Sequence, residues 1–399
     1  MSITHASIVP LIGGETIGSQ QAFGVPPMHF MSYEPFASND SHVLNYYNNE
    51  IPYYVLDKDQ KPPLNERADV VSSVCPCAGL SMMSHGYGDH NPNNQWMGKT
   101  AEYVLGEYKP KVFWGENAPG FAGKIGKNVR EQLRKIGKDN GYTMSVYRTK
   151  SLLHGGPQVR ERSFYFFWQN KQTPLLNYFS KRGDPIEKVI RDVKSNFQME
   201  TINSNKPSED PWYQFLLEES GGMSHKEYSK ELDANVAKSG QCVFTQIEKK
   251  GYTYKQVSEW MTEKGHERAA ASAMRKYEKL KSGGNVMKRG VTIPKDYIGA
   301  FVGHYPKMLT HPDEDRFITY REAMTIMGLP QDFELLNPKQ SFNHICQNVP
   351  VQTAADMAGE VKKYLNGELT MVDTDYIVQY NHSQKADYIT KADTLEAFI

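Results

Sequence analysis

The chain has 399 residues, with 46 basic and 46 acidic side chains and no formal net charge, so no global field draws it onto nucleic acid or a membrane. A chain of this length buries one large core with an accessory domain, and four cysteines spread over it exclude a disulfide framework. No apolar run approaches the roughly 18 residues that span a bilayer, and the start lacks a basic-then-apolar signal, so a soluble, cytoplasmic protein is expected.

Residues 6–170 alternate short β-rich apolar runs with helical stretches, which predicts a parallel sheet with crossover helices. The run 7–12 leads into Gly13-Gly14 and a helix to about Phe23. The run 29–33 ends at Glu34-Pro35, and a helix follows through Ala37, Val43 and Leu44. The run 69–74 reads as a buried strand that delivers Pro76-Cys77, and 111–114 delivers Glu116-Asn117 in the same way. The runs 143–147 and 163–168 complete the set. In open α/β sheets the chemistry gathers beyond the carboxyl ends of the strands, where the glycine pair, the cysteine and the acid all fall.

Between about 172 and 310 the alternation stops. Residues 204–211 form a polar, proline-bearing linker, and 213–282 read as mainly helical until Ser282-Gly-Gly-Asn285 breaks the run. Residues 241–290 hold 11 Lys/Arg against 5 Asp/Glu, a local excess of 11 − 5 = +6 on a neutral chain. Val257, Trp260 and Met261 give one helical face. Gly265 marks a turn, and Met274, Tyr277 and Leu280 stripe a second helix. Two readings stand: a helix-turn-helix with Arg275 and Lys276 at a major groove, or an ordinary helical hairpin with a solvated basic face. Helical periodicity returns at 319–328 and from about 352 to 365, while the polar tail 370–399 carries no readable role. The boundaries that follow are 1–171, 172–310 and 311–399.

Cys75-Pro-Cys77 is half of a metal knuckle at most. A zinc site usually has a two-residue spacer and a second pair of ligands, and His85 and His90 are the only nearby candidates, so no metal is expected. Cys242 and Cys346 read as buried, inert thiols. A cysteine, a carboxylate and two arginines in the order Cys77, Glu116, Arg160, Arg162 suit a different task, attack on a pyrimidine ring. Carbon 5 of cytosine takes up a methyl group only after a thiolate has added at carbon 6. An acid at N3 and an arginine at O2 accept the charge that builds up. The base must also leave the duplex stack to reach the thiol.

These residues resemble those of the DNA cytosine-5 methyltransferases. The segment 69–81 around Pro76-Cys77 looks like the family's nucleophile strand and loop, 109–118 like its Glu-Asn-Val strand, and Gln158-Val-Arg160-Glu-Arg162 like its Gln-x-Arg-x-Arg segment. Residues 319–333 and Val349-Pro350-Val351 resemble its last two motifs, in the family's order. The resemblance implies a Rossmann-like, S-adenosylmethionine-dependent α/β sheet with a smaller, mainly helical target-recognition domain at 172–310. It also implies double-stranded DNA as partner and a monomeric enzyme of DNA methylation, including the restriction-modification kind.

By matching position, Cys77 is the nucleophile, Glu116 binds and protonates N3, Arg162 meets the pyrimidine oxygen and Arg160 braces the cysteine loop. Ile12, Gly13, Gly14, Pro76 and Val349 would approach the donor. Glu34 with Pro35 would take its ribose, and Asp57 its adenine. Ser81 and Gln158 join Arg275 and Lys276 as nucleic-acid contacts. The chain departs from the family pattern at Val9 and Leu11, which replace an aromatic residue and a glycine. Further departures are Ala78, Asn93-Asn94-Gln95-Trp96 and Cys346-Gln347. They cluster where the donor and the phosphates would lie, which leaves open a modified donor, an RNA substrate or a DNA-binding homologue without catalysis. The loop His85-Gly86-Tyr87-Gly88-Asp89 reads either as a lid or as ordinary surface.

Overall fold

The computed structural model describes residues 2–81, 88–232, 241–303 and 305–387. Seven strands come from the first half of the chain: β1 (His5–Ile8), β2 (Phe30–Ser32), β3 (Tyr53–Val55), β4 (Val70–Ser73), β5 (Val112–Asn117), β6 (Thr143–Lys150) and β7 (Glu161–Trp168). A two-stranded ribbon joins β8 (Thr173–Pro174) to β9 (Met371–Val372). Two further strands, β10 (Tyr376–Tyr380) and β11 (Lys385–Asp387), follow. The large sheet runs β11-β10-β6-β7-β5-β4-β1-β2-β3. It is parallel except that β7 opposes both β5 and β6, and β11 opposes β10.

The central strands are covered on both faces, which is why they read as unbroken apolar runs rather than alternating ones. Phe113 and Phe167 stack with ring centres 5.7 Å apart, and the Trp168 indole N–H donates to Ser145 Oγ at 2.8 Å. Strand order reverses between β1 and β4, with β2 and β3 on one side and β5 on the other. This switch point opens a crevice at the carboxyl ends of the strands, and it receives both the 9–14 loop and Pro76-Cys77.

The expected α/β class is the observed one. The tail, unreadable from its composition, also joins the sheet. Strand β10 pairs in parallel with β6 and so enlarges the sheet, and the Gln379 amide bonds both the N–H and the C=O of Leu176 at 2.9 Å. Its residues, Tyr376-Ile-Val-Gln-Tyr380, are a short β-rich run inside the polar tail, and β6 supplies the edge on which they pair.

The helix Gly14–Phe23 lies along the helix Val351–Leu365, so the loop after β1 and the 349–351 segment meet. Gly14 N–H donates to Asn348 Oδ1 at 2.8 Å, and a Cβ at position 14 would stand 2.1 Å from Val349 O. Gly14→Ala is therefore expected to cost about 1–3 kcal/mol, since neither backbone can withdraw. Urea unfolding checks this, and a loss under about 0.5 kcal/mol would contradict the packing.

Three apolar clusters sit apart. The first surrounds the sheet. The second gathers Ile12, Ile17, Ile186, Ile298, Phe301, Met324 and Ile345. The third gathers Trp212, Phe244, Val257, Ala273 and Phe317. There the helices Tyr254–Glu263 and Glu267–Lys281 pack on each other across a three-residue turn, whose Gly265 has φ 78°. Thr253 and Gln256 form a capping box that fixes where the first of them begins.

Candidate active site

Strand β4 ends at Ser73, and the chain turns through Pro76 into a short 3-10 turn, Ala78–Leu80, closed by the Leu80 N–H to Cys77 C=O bond of 3.1 Å. Cys77 is partly exposed at this corner. Cys75 points the other way, wholly buried with its sulfur 3.3 Å from Ser73 Oγ and 3.6 Å from Thr100 Oγ1. Two residues of separation thus divide a core thiol from a site thiol.

Glu116 belongs to β5 itself rather than to the loop beyond it, and it is buried. Arg162, on β7 two positions before Phe164 (the register partner of Glu116), meets it through an Arg162 Nε–Glu116 Oε1 ion pair. Arg160 is among the largest fully buried side chains. Its Nη1 donates to Phe301 C=O at 2.8 Å, and its Nε has no hydrogen-bond partner among the described residues.

Burial pushes the Cys77 thiol up. The guanidinium groups of Arg162 and Arg160 oppose that shift, and the Glu116 carboxylate adds to it. Burial likewise raises the Glu116 carboxyl, outweighing the same two arginines. Burial and the neighbouring Arg162 lower Arg160 to about 9, which leaves it protonated at neutral pH. The site therefore pairs a thiol that is normally protonated with a carboxyl raised toward holding its proton. Two fixed cations stabilise whichever anion forms.

A cleft of about 460 Å³ runs from Cys77, Ala78, Ser81 and Glu116 past Val74, Cys75 and Pro76 to Leu11, Phe36, Asn39 and Gln347. It links the thiol to the loops after β1 and β2. Of the expected donor contacts, Pro76 lines it. Ile12 does not, because its side chain is buried in the second cluster. Gly13 and Gly14 serve protein packing: a Cβ on Gly13 would lie 2.3 Å from Val43, and Gly14 sits against Asn348 and Val349. Val349 is buried behind that contact.

Glu34 and Pro35 are exposed beside the cleft. Glu34 pairs with Lys58 at 2.8 Å, while Asp57 accepts the Glu34 backbone N–H at 3.0 Å. The carboxylate expected at the adenine thus holds the loop that carries the carboxylate expected at the ribose.

Gln158, expected at the nucleic acid, is wholly buried. Its Oε1 accepts Phe301 N–H at 3.1 Å, and Val159 N–H donates to Ile298 C=O at 2.9 Å. The arginine segment is therefore zipped to residues 298–301, and Gln158 is a brace rather than a surface contact. Arg275 is exposed on its helix, whereas Lys276 is half-buried with its ammonium 4.9 Å from the Phe244 ring centre. Of the proposed lid, His85, Gly86 and Tyr87 lie outside the described residues.

The sequence reading missed an aromatic wall. Trp96 packs on Tyr33 and Phe36, each with ring centres 5.0 Å apart, and Lys99 lies 4.4 Å over the Tyr33 ring. Phe36 carries this wall into the cleft. The signal available was the aromatic pair at positions 33 and 36 straight after a strand.

A doubly covered, mainly parallel sheet with a thiol, an acid and two arginines at its switch-point cleft defines a Rossmann-like methyltransferase architecture. The chain belongs to the C-5 cytosine-specific DNA methylase family, which it matches over residues 11–363. Family members of this fold generally use S-adenosylmethionine. The chain is 24% identical over 309 residues to the type II methyltransferase M.PspPI of Psychrobacter sp. (strain TA137), a stretch covering 76% of this chain and 66% of that relative, just under two thirds of its length. In fold it is similar to an E. coli prophage protein described as a DNA modification methyltransferase (TM-score 0.54, 16% identity, 92% of this chain and 100% of that one). It is also similar to the Entamoeba histolytica methyltransferase EhMeth (TM-score 0.56, 12% identity, 92% and 99%).

Proposed function

We propose that the protein methylates carbon 5 of cytosine in double-stranded DNA, with S-adenosylmethionine as the donor. The observation that carries this reading is the convergence of Cys77, Glu116 and Ser81 on one cleft that continues to Leu11, Phe36 and Asn39. One end presents the thiol and acid that a pyrimidine needs. The other is walled by Leu11 and by Phe36, which Trp96 backs, and this suits an adenosyl group with an apolar face. Pro76, Phe36 and Asn39 would hold the donor, which supplies an electrophilic methyl group when bound.

The remaining steps belong to the chain. Cys77 Sγ, as thiolate, forms a bond to carbon 6 of a flipped cytosine while Glu116 delivers its proton to N3. Arg162, fixed by Glu116, and the buried Arg160 offset the charge that gathers on the ring. Carbon 5 then takes the methyl group. A solvent water then takes the carbon-5 proton; the electrons of that C–H bond form the C5=C6 double bond and expel the Cys77 thiolate, and N3 returns its proton to the Glu116 carboxylate.

Residues 172–310 are the target-recognition part in this reading, supported by the helix–turn–helix at 254–281 and the positive charge gathered there. Arg275 is an exposed cation of the second helix, as are Arg268, Lys279 and Lys281, while Lys276 contributes chiefly by packing on Phe244. Arg275→Ala is expected to weaken duplex binding about three- to tenfold and to reduce the salt dependence by about one counterion. Fluorescence anisotropy across a salt series checks this, and an unchanged slope would remove Arg275 from the interface. For the function itself, the test is nucleoside mass spectrometry of duplex DNA incubated with the protein and S-adenosylmethionine. A deoxycytidine gaining one methyl group is expected. Unmodified DNA despite donor binding would refute the reading.

A further inference from the structure

The loop after β1 places Val9, Leu11 and Gly13 in the left-handed region, at φ 54°, 52° and 96°. Glycine adopts this at no cost, whereas for a residue such as leucine it is disfavoured by roughly tenfold in population. The contact that holds Leu11 there comes from Asp40. Its carboxylate is wholly buried; Oδ1 accepts the Leu11 N–H at 2.9 Å and Oδ2 accepts the Tyr53 hydroxyl at 3.0 Å. Burial raises Asp40 to about 7, a desolvation penalty that a simple helix residue would avoid by facing water. Asp40 rises from the helix Ala37–Tyr46, which also presents Asn39 to the cleft, directly after Phe36. Leu11 lines the same cleft.

We propose that Asp40 is a positioning residue for the methyl donor: by locking Leu11 in the left-handed conformation, it turns that side chain into one wall of the donor cleft and so sets donor affinity. The inference rests on the methyltransferase reading, since the cleft must be the donor's. Asp40 acts through Leu11 and does not touch the donor itself. It takes the part that a glycine at position 11 would play through its own freedom of φ.

The test is calorimetric binding of S-adenosylhomocysteine to the full chain, with Asp40→Ala measured in two backgrounds. With leucine at 11, the substitution is expected to weaken binding about tenfold or more, because the loop leaves its bound shape. In the Leu11→Gly background the same substitution is expected to cost about threefold or less, because glycine reaches that φ unaided. Asp40→Asn keeps an acceptor for the Leu11 N–H and should bind within about threefold of the unaltered protein. Equal losses in both backgrounds would reduce Asp40 to core support and overturn the proposal, as would no loss with leucine in place. Should Asp40→Ala fail to fold, Tyr53→Phe, which frees one side of the carboxylate, must show the same dependence on residue 11. Absence of binding by the unaltered protein would instead overturn the methyltransferase reading, and this inference with it.

Discussion

Cys77→Ser is expected to reduce methyl transfer by about a thousandfold or more while leaving duplex affinity within about threefold. Serine keeps the shape of the corner after β4, so the cleft and the DNA contacts survive. The hydroxyl is a far weaker nucleophile than a thiolate, and addition at carbon 6 is the step on which every later one depends. A duplex carrying 5-fluorocytosine separates this from a structural role. Fluorine replaces the carbon-5 proton whose loss expels the thiol, so the unaltered protein should remain covalently attached and Cys77→Ser should not. Cys75→Ser is the control. Its sulfur faces Ser73 and Thr100 inside the core, and the adduct should still form. An adduct surviving in Cys77→Ser and lost in Cys75→Ser would reverse the assignment.

The second large effect is at Glu116. Glu116→Gln preserves volume and can still donate a hydrogen bond to N3 but cannot transfer a proton, and a loss of about a hundredfold or more in kcat is expected. The pH profile tests the reason. The reactive form has Cys77 without its proton and Glu116 with it, and burial raises both groups above their ordinary values. Activity therefore rises as the pair loses one proton and falls as it loses the second, giving a bell whose two limbs belong to the pair rather than to either residue. In Glu116→Gln the thiol alone titrates, so kcat/KM should climb with pH to a plateau without the alkaline fall. A bell retained in that variant would assign the proton to another group.

Much of this site was legible because its chemistry is local. Pro76-Cys77 and Glu116 each follow or end an apolar run, and a buried strand is recognised from its own residues without knowing its neighbours. The departure at Leu11 was also visible, as a missing glycine. Its consequence was not, since Asp40 reaches the loop from a helix 29 positions further along the chain, and Tyr53 holds Asp40 from a strand 13 positions beyond that. The donor-side residues depend on distant partners in the same way. Ile12, Gly13, Gly14 and Val349 occupy the expected loops, but whether a side chain in a loop faces a ligand or a neighbouring helix is decided by packing.

What the sequence determined by itself was the set of candidate reactive groups and the succession along the chain of the strands that carry them, because nucleophilicity, acidity and apolar run length are properties of residues and their immediate neighbours. The tertiary structure decided which groups meet. It paired Glu116 with Arg162 across β5 and β7, sank Gln158 against residues 298–301, and drew β10 out of a polar tail to lie on β6. Each of these depends on a partner far away in the chain, and burial, which sets both the pKa shifts and the choice between brace and surface, exists only after those partners have packed.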